Sequence, residues 1–229
     1  MKNVISVTIL FIIISFFSCK KDKKVEPDEE ISSPSSINYP NYSNLKVGNY
    51  WIYQRFEIDG SGNETPLSII DSCYIEKDTN INGKTYYKYV SPDFGNSISP
   101  YSVAPNIAEY YKDSLSYLIT NLGRIEFSSQ DYTTVFKSGY QVVNSNDTVC
   151  RFEFKMGNQN TTITTPSGAY NTSSFKETYY MYPNYSFAGS VRSRNTRYAE
   201  NVGKVTQEWY FFVDLSTKWE RRLIRYHLN

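Results

Sequence analysis

The chain has 229 residues with 24 basic and 23 acidic side chains, a formal net charge of +1 at pH 7. So even a balance supplies no field that would draw nucleic acid or an acidic surface. Tyrosine (22) and phenylalanine (13) are abundant, and aromatic, hydroxyl-rich segments broken by Gly, Pro and Asn favour strands over helices.

Met1 to Asn3 carry one lysine, Val4 to Phe17 are almost wholly apolar, and Phe17-Ser18-Cys19-Lys20-Lys21-Asp22 comes next. A positive start, an apolar run and a small residue before a cysteine describe a secretory signal. The run is too short to cross about 30 Å of hydrocarbon as a permanent helix. The setting of Cys19 resembles the lipobox of bacterial lipoproteins, and the charged residues Lys20 to Lys24 are similar to the charged segment after that cysteine in lipoproteins of the Bacteroidetes. The resemblance implies that residues 1–18 are a signal peptide, that Cys19 is lipidated after cleavage, and that the protein is anchored in the cell envelope, by default at the outer membrane. The other reading is an ordinary secretory signal cut elsewhere. Acyl chains contribute about 0.8 kcal/mol per buried methylene, so two or more hold a domain on a bilayer without a protein span. Residues 19–40 have no periodicity and run through Ser32-Ser33-Pro34-Ser35-Ser36; they read as a disordered, flexible tether. No later stretch is long and apolar enough to span a membrane.

Residues 41–229 read as one β-rich domain, large enough at about 190 residues to bury its own core. Gly48 to Asp59 opens it, with Trp51 and Tyr53 on one face; Phe56 and Ile58 fall on the other parity, so a bulge is expected near Gln54-Arg55. After a turn at Gly60 to Asn63 come Pro66 to Lys77, an Asn82-Gly83 hairpin turn, and Thr85 to Val90. A Pro- and Gly-broken region is next, with a weak helical pattern over Val103 to Lys112. Glu109 to Lys112 and Leu115 to Thr120 read as a hairpin, and Arg124 to Ser128, Tyr132 to Lys137 and Gln141 to Val143 as short strands. Thr148 to Met156 alternates cleanly, placing Cys150, Phe152, Phe154 and Met156 on one face. Thr161 to Thr165, Phe175 to Tyr182, Val205 to Leu215 and Trp219 to Leu228 complete the series. In the last, Ile224, Tyr226 and Leu228 share a face opposite Arg221, Arg225 and His227, with Leu223 the exception. So many short strands predict an all-β fold, an antiparallel meander curled into a roll, half-barrel or barrel.

Around Cys73, Ile69 and Ile75 share its face while Asp71 breaks the pattern. Cys73 and Cys150 both point inward, so in an oxidising compartment they either form a disulfide or sit as small buried hydrophobes. Trp51, Trp209 and Trp219 read as core anchors. Gly168 and Gly203 fall where positive φ or close backbone approach is needed.

Three stretches, Leu45-Lys46-Val47-Gly48-Asn49-Tyr50-Trp51-Ile52-Tyr53 with Ile81-Asn82-Gly83-Lys84-Thr85-Tyr86-Tyr87, Thr165-Pro166-Ser167-Gly168-Ala169-Tyr170, and Tyr198-Ala199-Glu200-Asn201-Val202-Gly203-Lys204-Val205, resemble in their order the TapB/DUF3108-like β-proteins. Ser167, Tyr170 and Glu200-Asn201 depart from that pattern. The resemblance implies an antiparallel β-roll of the cell envelope and carries no catalytic residues.

No catalytic residue, metal ligand set or cofactor site is legible. The one histidine, His227, lies at a strand end on the polar face; no nucleophile elbow, Cys/His metal spacing or phosphate-binding glycine loop is present. Carboxylates paired in space for glycoside hydrolysis would leave no sequence signal. The basic residues Arg192, Arg194, Arg197, Lys204, Lys218, Arg221, Arg222 and Arg225 read as long side chains covering an exposed sheet face. Adjacent tyrosines must face opposite ways on a strand, so Tyr110, Tyr111, Tyr179, Tyr180, Tyr182 and Tyr185 are candidate ligand-facing aromatics, set against the ordinary enrichment of Tyr in strands. The sequence therefore reads as a non-enzymatic, lipid-anchored envelope protein that binds or scaffolds a glycan or protein partner. The alternatives are a surface glycan-binding accessory protein using those tyrosines, and a carrier of lipid or another apolar ligand. Its expected contacts are the membrane through Cys19 and that partner, with no nucleic acid and no cofactor.

Overall fold

The computed structural model describes residues 38–94, 101–143, 147–209 and 217–229. The expected signal peptide, Cys19 and the expected tether up to residue 37 lie outside the described residues.

Among the described residues, thirteen strands form one antiparallel sheet that curls without closing. They are β1 (Tyr50–Ile58), β2 (Glu64–Ile81), β3 (Lys84–Pro92), β4 (Asn106–Ser114), β5 (Tyr117–Thr120), β6 (Ile125–Ser128), β7 (Lys137–Val143), β8 (Asp147–Met156), β9 (Thr161–Thr165), β10 (Gly168–Met181), β11 (Val191–Ala199), β12 (Gly203–Trp209) and β13 (Lys218–His227). The order is β6-β5-β4-β3-β2-β1-β13-β12-β11-β10-β8-β7, with β9 on β10. A 3-10 turn, Pro183–Tyr185, comes after β10. No described helix is long and apolar enough to cross a membrane.

Curling brings the two halves of the sheet over one core. Trp51, Tyr53, Cys73, Ile75, Tyr89, Tyr111, Phe127, Met156, Phe175, Tyr198, Val205 and Leu223 pack together there. Two side chains stitch β1 to the β12 end: Trp51 Nε1 donates to the Val202 carbonyl at 2.7 Å, and Tyr53 Oη to the Lys204 carbonyl at 2.7 Å. The β6 edge meets the far half through the Phe127–Tyr198 ring contact at 4.6 Å and the Ser128 amide on Met156 Sδ at 3.2 Å. Residues 41–45 lie against this junction, with the Tyr42 ring tilted against Phe127 at 4.8 Å and Ser43 donating to Asp113 at 2.5 Å.

Much of the strand reading stands. The Asn82-Gly83 turn has both φ angles positive, +53° and +78°. The ladder between β1 and β2 slips between Gln54 and Phe56, where the parity break predicts a bulge. Gly203 has φ +101°, and a Cβ on it would lie 3.2–3.3 Å from the Trp51 ring.

Other readings need correction. The helical pattern at Val103 to Lys112 gives way to β4. Residues 132–136 are not strand. Strand β11 goes unread in the sequence, because Val-Arg-Ser-Arg-Asn-Thr-Arg-Tyr-Ala shows no apolar alternation. On β13 the ladder to β1 skips Ile224. This bulge puts Leu223, fully buried, on the interior face with Arg221 and Trp219, and leaves Tyr226 exposed. Trp51 and Trp219 are buried as expected. Cys73 and Cys150 are buried free thiols in separate apolar clusters, so the unbridged alternative describes the structure. The Cys150 cluster comprises Val149, Tyr179 and Met181, with Phe152, Phe154 and Tyr185 packed on it.

Candidate functional site: a charged cleft inside the roll

The interior of the roll is not wholly apolar. Arg55 and Asp71 are 0% and 1% exposed and form a two-pronged ion pair, Nε to Oδ2 at 2.9 Å and Nη2 to Oδ1 at 2.8 Å. Asp71 is the residue that breaks the apolar pattern around Cys73. The β1 bulge and the β1–β13 register set Arg55 directly across from Arg221, which is 2% exposed. Both guanidinium groups lie over the Phe94 ring, at 5.3 and 5.1 Å. Arg221 also lies 5.2 Å from the Tyr53 ring and donates to Cys73 Sγ at 3.6 Å.

Beside Arg221 and Phe94 a cleft of about 270 Å³ opens. One wall comes from β4 and β6. Here Arg124 donates to Glu109 at 2.8 Å and also to Glu126, while Tyr111 Oη donates to Glu109 at 2.6 Å. Burial and the neighbouring Glu109 push the Glu126 carboxyl above its ordinary range, against the pull of Arg124. The opposite wall comes from β10 and β11, where Arg194 donates to both Glu177 and Tyr179. Phe154, Phe175 and Trp209 supply apolar surface between these polar groups.

The floor is β12 and β13. The β11–β12 ladder pairs Arg197 with Thr206 and then Tyr198 with Lys204, leaving Val205 as an extra residue. A bulge re-aims side chains. This one lets Lys204 and Gln207, which strict alternation would place on opposite faces, both line the cleft. Lys204 is half-buried, between the rings of Tyr89 at 5.6 Å and Tyr198 at 6.0 Å. Burial, then the charge of Arg221, lowers its ammonium pKa to about 8.

The basic residues expected to cover an exposed sheet face are thereby divided. Arg194, Lys204 and Arg221 face the cleft. Arg197, Lys218 and Arg222 instead neutralise Glu208 and Glu220, which sit opposite each other in the β12–β13 ladder. Lys218 lies 2.9 Å from Glu208 and Arg222 lies 2.7 Å from Glu220, with Arg197 at 3.5 and 3.7 Å from the two. Only Arg225 of the group is plainly exposed.

The candidate tyrosines divide as well. Tyr111 lines the cleft and Tyr179 is buried beside it. Tyr110 and Tyr180 are half-buried on strands in opposite halves of the sheet; Tyr180 lies under Arg151 at 4.3 Å. Tyr185 donates to Asp147, and Tyr182 is exposed. They form no common platform. His227 is exposed and stacked on Tyr50 at 5.5 Å. Among the described residues no group of three His, Cys, Asp or Glu side chains is placed to hold a metal.

Sequence reasoning misses the cleft, because its residues come from strands far apart along the chain. The breaks in alternation at Asp71 and at Leu223 beside Arg221 are its only local signals.

No protein-family model matches the chain, so the TapB/DUF3108-like resemblance gains no support from one, and no curated protein matches it. Two solved structures are similar. One is described as an exported protein with a YmcC-like fold from Bacteroides fragilis NCTC 9343, with 13% identity, TM-score 0.46, and coverage of 82% of this chain and 99% of that one. The other is described as a lipoprotein from Parabacteroides distasonis ATCC 8503, with 16% identity, TM-score 0.41, and coverage of 83% and 100%.

Proposed function

We propose that this chain is a non-enzymatic, lipid-anchored protein of the cell envelope, held at the outer membrane through Cys19, whose curled sheet binds a small polar ligand in its interior cleft. The observation that carries the reading is the way the cleft is braced. Its carboxylates are tied down by cations, Glu109 and Glu126 by Arg124 and Glu177 by Arg194. Such cross-bracing fixes polar groups in place, as a binding site requires. A glycosidase would instead keep one carboxyl free as an acid and another free as base or nucleophile. Charged walls also favour a polar ligand over the lipid expected of an apolar carrier. The glycan reading moves from the surface tyrosines to the cleft, where aromatic and charged groups occur together.

Two measurements test this. Replacing Cys19 by Ala should move the protein from the membrane pellet to the soluble fraction; retention in the pellet contradicts lipid anchoring there. Titration of the full-length chain with small sugars and sugar acids should show saturable binding, with the ligand recovered chemically unchanged. Turnover of the bound ligand contradicts the non-enzymatic reading.

A further inference from the structure

Three polar groups in the cleft lack what their surroundings would normally supply. Lys204 has no side-chain hydrogen-bond or ion-pair partner among the described residues; the Tyr89 and Tyr198 rings lie against it, and Glu109 and Glu126 face it from farther off. Arg221 Nε is buried with no acceptor, and Gln207 Oε1 is buried with no donor. Gln207 and Arg221 face each other in the β12–β13 ladder, and all three residues line the same cleft. A buried polar group without a partner costs as much as a lost hydrogen bond, so such groups are uncommon unless something completes them.

The set has a definite chemistry. The ammonium and the Nε–H group donate and carry positive charge, while the amide oxygen accepts. Asp71 accepts from Arg55 through both of its oxygens, and Arg221 Nε finds no acceptor there. The complement is an anionic oxygen for Lys204 and Arg221 next to a hydroxyl that donates to Gln207. A cleft of about 270 Å³ falls just under the roughly 300 Å³ at which drug-sized sites begin, so the occupant is small. The Trp209 and Phe154 side chains in its wall offer apolar surface to a carbon skeleton.

The geometry points to a subsite for a small hydroxy acid of sugar-acid type, its carboxylate seated on Lys204 and Arg221 and a neighbouring hydroxyl on Gln207. This rests on the binding reading above and names the ligand class for that cleft. The acid can arrive free or as the terminal residue of a chain; the chemistry at the subsite is the same.

The test is calorimetric titration of the full-length chain at pH 7 with glucuronate, the methyl glycoside of glucuronate, and glucose. Glucuronate should bind at least about tenfold more tightly than glucose, the scale of one charge-assisted hydrogen bond. The methyl glycoside separates the two sources: binding equal to glucuronate indicates a chain terminus, and loss of binding indicates a free acid. Lys204→Met keeps the stem and removes the charge; it should cost about ten- to hundredfold in glucuronate affinity with glucose unaffected. Gln207→Glu places a carboxylate opposite Arg221, mimicking the occupant. It should abolish glucuronate binding while raising the melting temperature, which a merely damaged fold would not do. Affinity should also fall as pH rises through about 8, where Lys204 loses its proton. The groups facing Lys204 are Arg221 on β13, Glu109 on β4, Glu126 on β6, Cys73 on β2, Tyr89 on β3 and Tyr198 on β11. Glucose binding as tightly as glucuronate, or an unaltered Lys204→Met variant, overturns the subsite and leaves the binding function standing. No binding by any of the three probes overturns both.

Discussion

Replacing Asp71 by Asn keeps the shape of the side chain and removes the charge that holds Arg55 through two hydrogen bonds. Arg55 is 0% exposed, with donors 2.9 and 2.8 Å from the two Asp71 oxygens. Arg221 lies across the β1–β13 ladder from it, over the same Phe94 ring. The substitution therefore leaves two buried guanidinium groups side by side with that negative charge gone. Breaking one partner of a buried pair typically costs about 3–5 kcal/mol. For a domain of this size each kcal/mol lowers Tm by about 2–4 °C, so a drop of roughly 6–20 °C is expected. Urea unfolding of the full-length chain, followed by tryptophan fluorescence, gives the free energy. Arg55→Met combined with Asp71→Leu removes both charges together and should recover most of the loss, because well-packed apolar pairs replace buried ion pairs at little cost. If Asp71→Asn alone costs less than about 1 kcal/mol, the value of an exposed ion pair, the buried-charge reasoning is wrong.

The remaining predictions concern β12, pH and the thiols. Gly203→Ala adds a Cβ 3.2 Å from Trp51 Nε1 at φ +101°, whereas Gly62→Ala meets nothing within 4 Å at φ +85°. The first should cost about 1–3 kcal/mol and exceed the second; equal losses would dismiss the Trp51 contact. The Lys204 pKa falls from 10.5 to about 8 on folding. Between those values the unfolded chain holds the extra proton, so stability should rise with pH by at most about 3 kcal/mol. Burial raises the pKa of Tyr53, Tyr89, Tyr111 and Tyr198, so above about pH 10 the unfolded chain ionises first and the trend should reverse. Lys204→Met should be more stable than wild type at pH 7 and lack the rise; a wild-type profile flat from pH 8 to 10 would contradict the lowered Lys204 pKa. Maleimide should label neither Cys73 nor Cys150 in the native protein and both in denaturant without reductant. A requirement for reductant would reinstate the disulfide.

Where a strand buries one face against apolar neighbours, its period is legible. Thr148 to Met156 and the Asn82-Gly83 hairpin need nothing beyond local chemistry. The failures occur where charge is buried. Strand β11 carries Arg192, Arg194 and Arg197, which reads as surface until Glu177, Glu208 and Glu220 are placed beside two of them. Leu223 looks anomalous because Arg221 shares its interior face, and a sequence reading sends arginine outward. The bulges at Val205 and Ile224 then change the parity of the residues beyond them. Asp71 stands out in the sequence as an exception without a meaning, since its partner Arg55 lies on another strand. The cleft is unreadable for the same reason: its ion pairs join β4 to β6 and β10 to β11, and no spacing along the chain encodes those meetings.

The most direct measurement is a crystal structure of the protein grown with glucuronate. The carboxylate should lie within hydrogen-bond reach of Lys204 Nζ and Arg221 Nε, with a ring hydroxyl on Gln207 Oε1. An empty cleft beside ligand bound elsewhere, or a carboxylate turned away from Lys204, would contradict it.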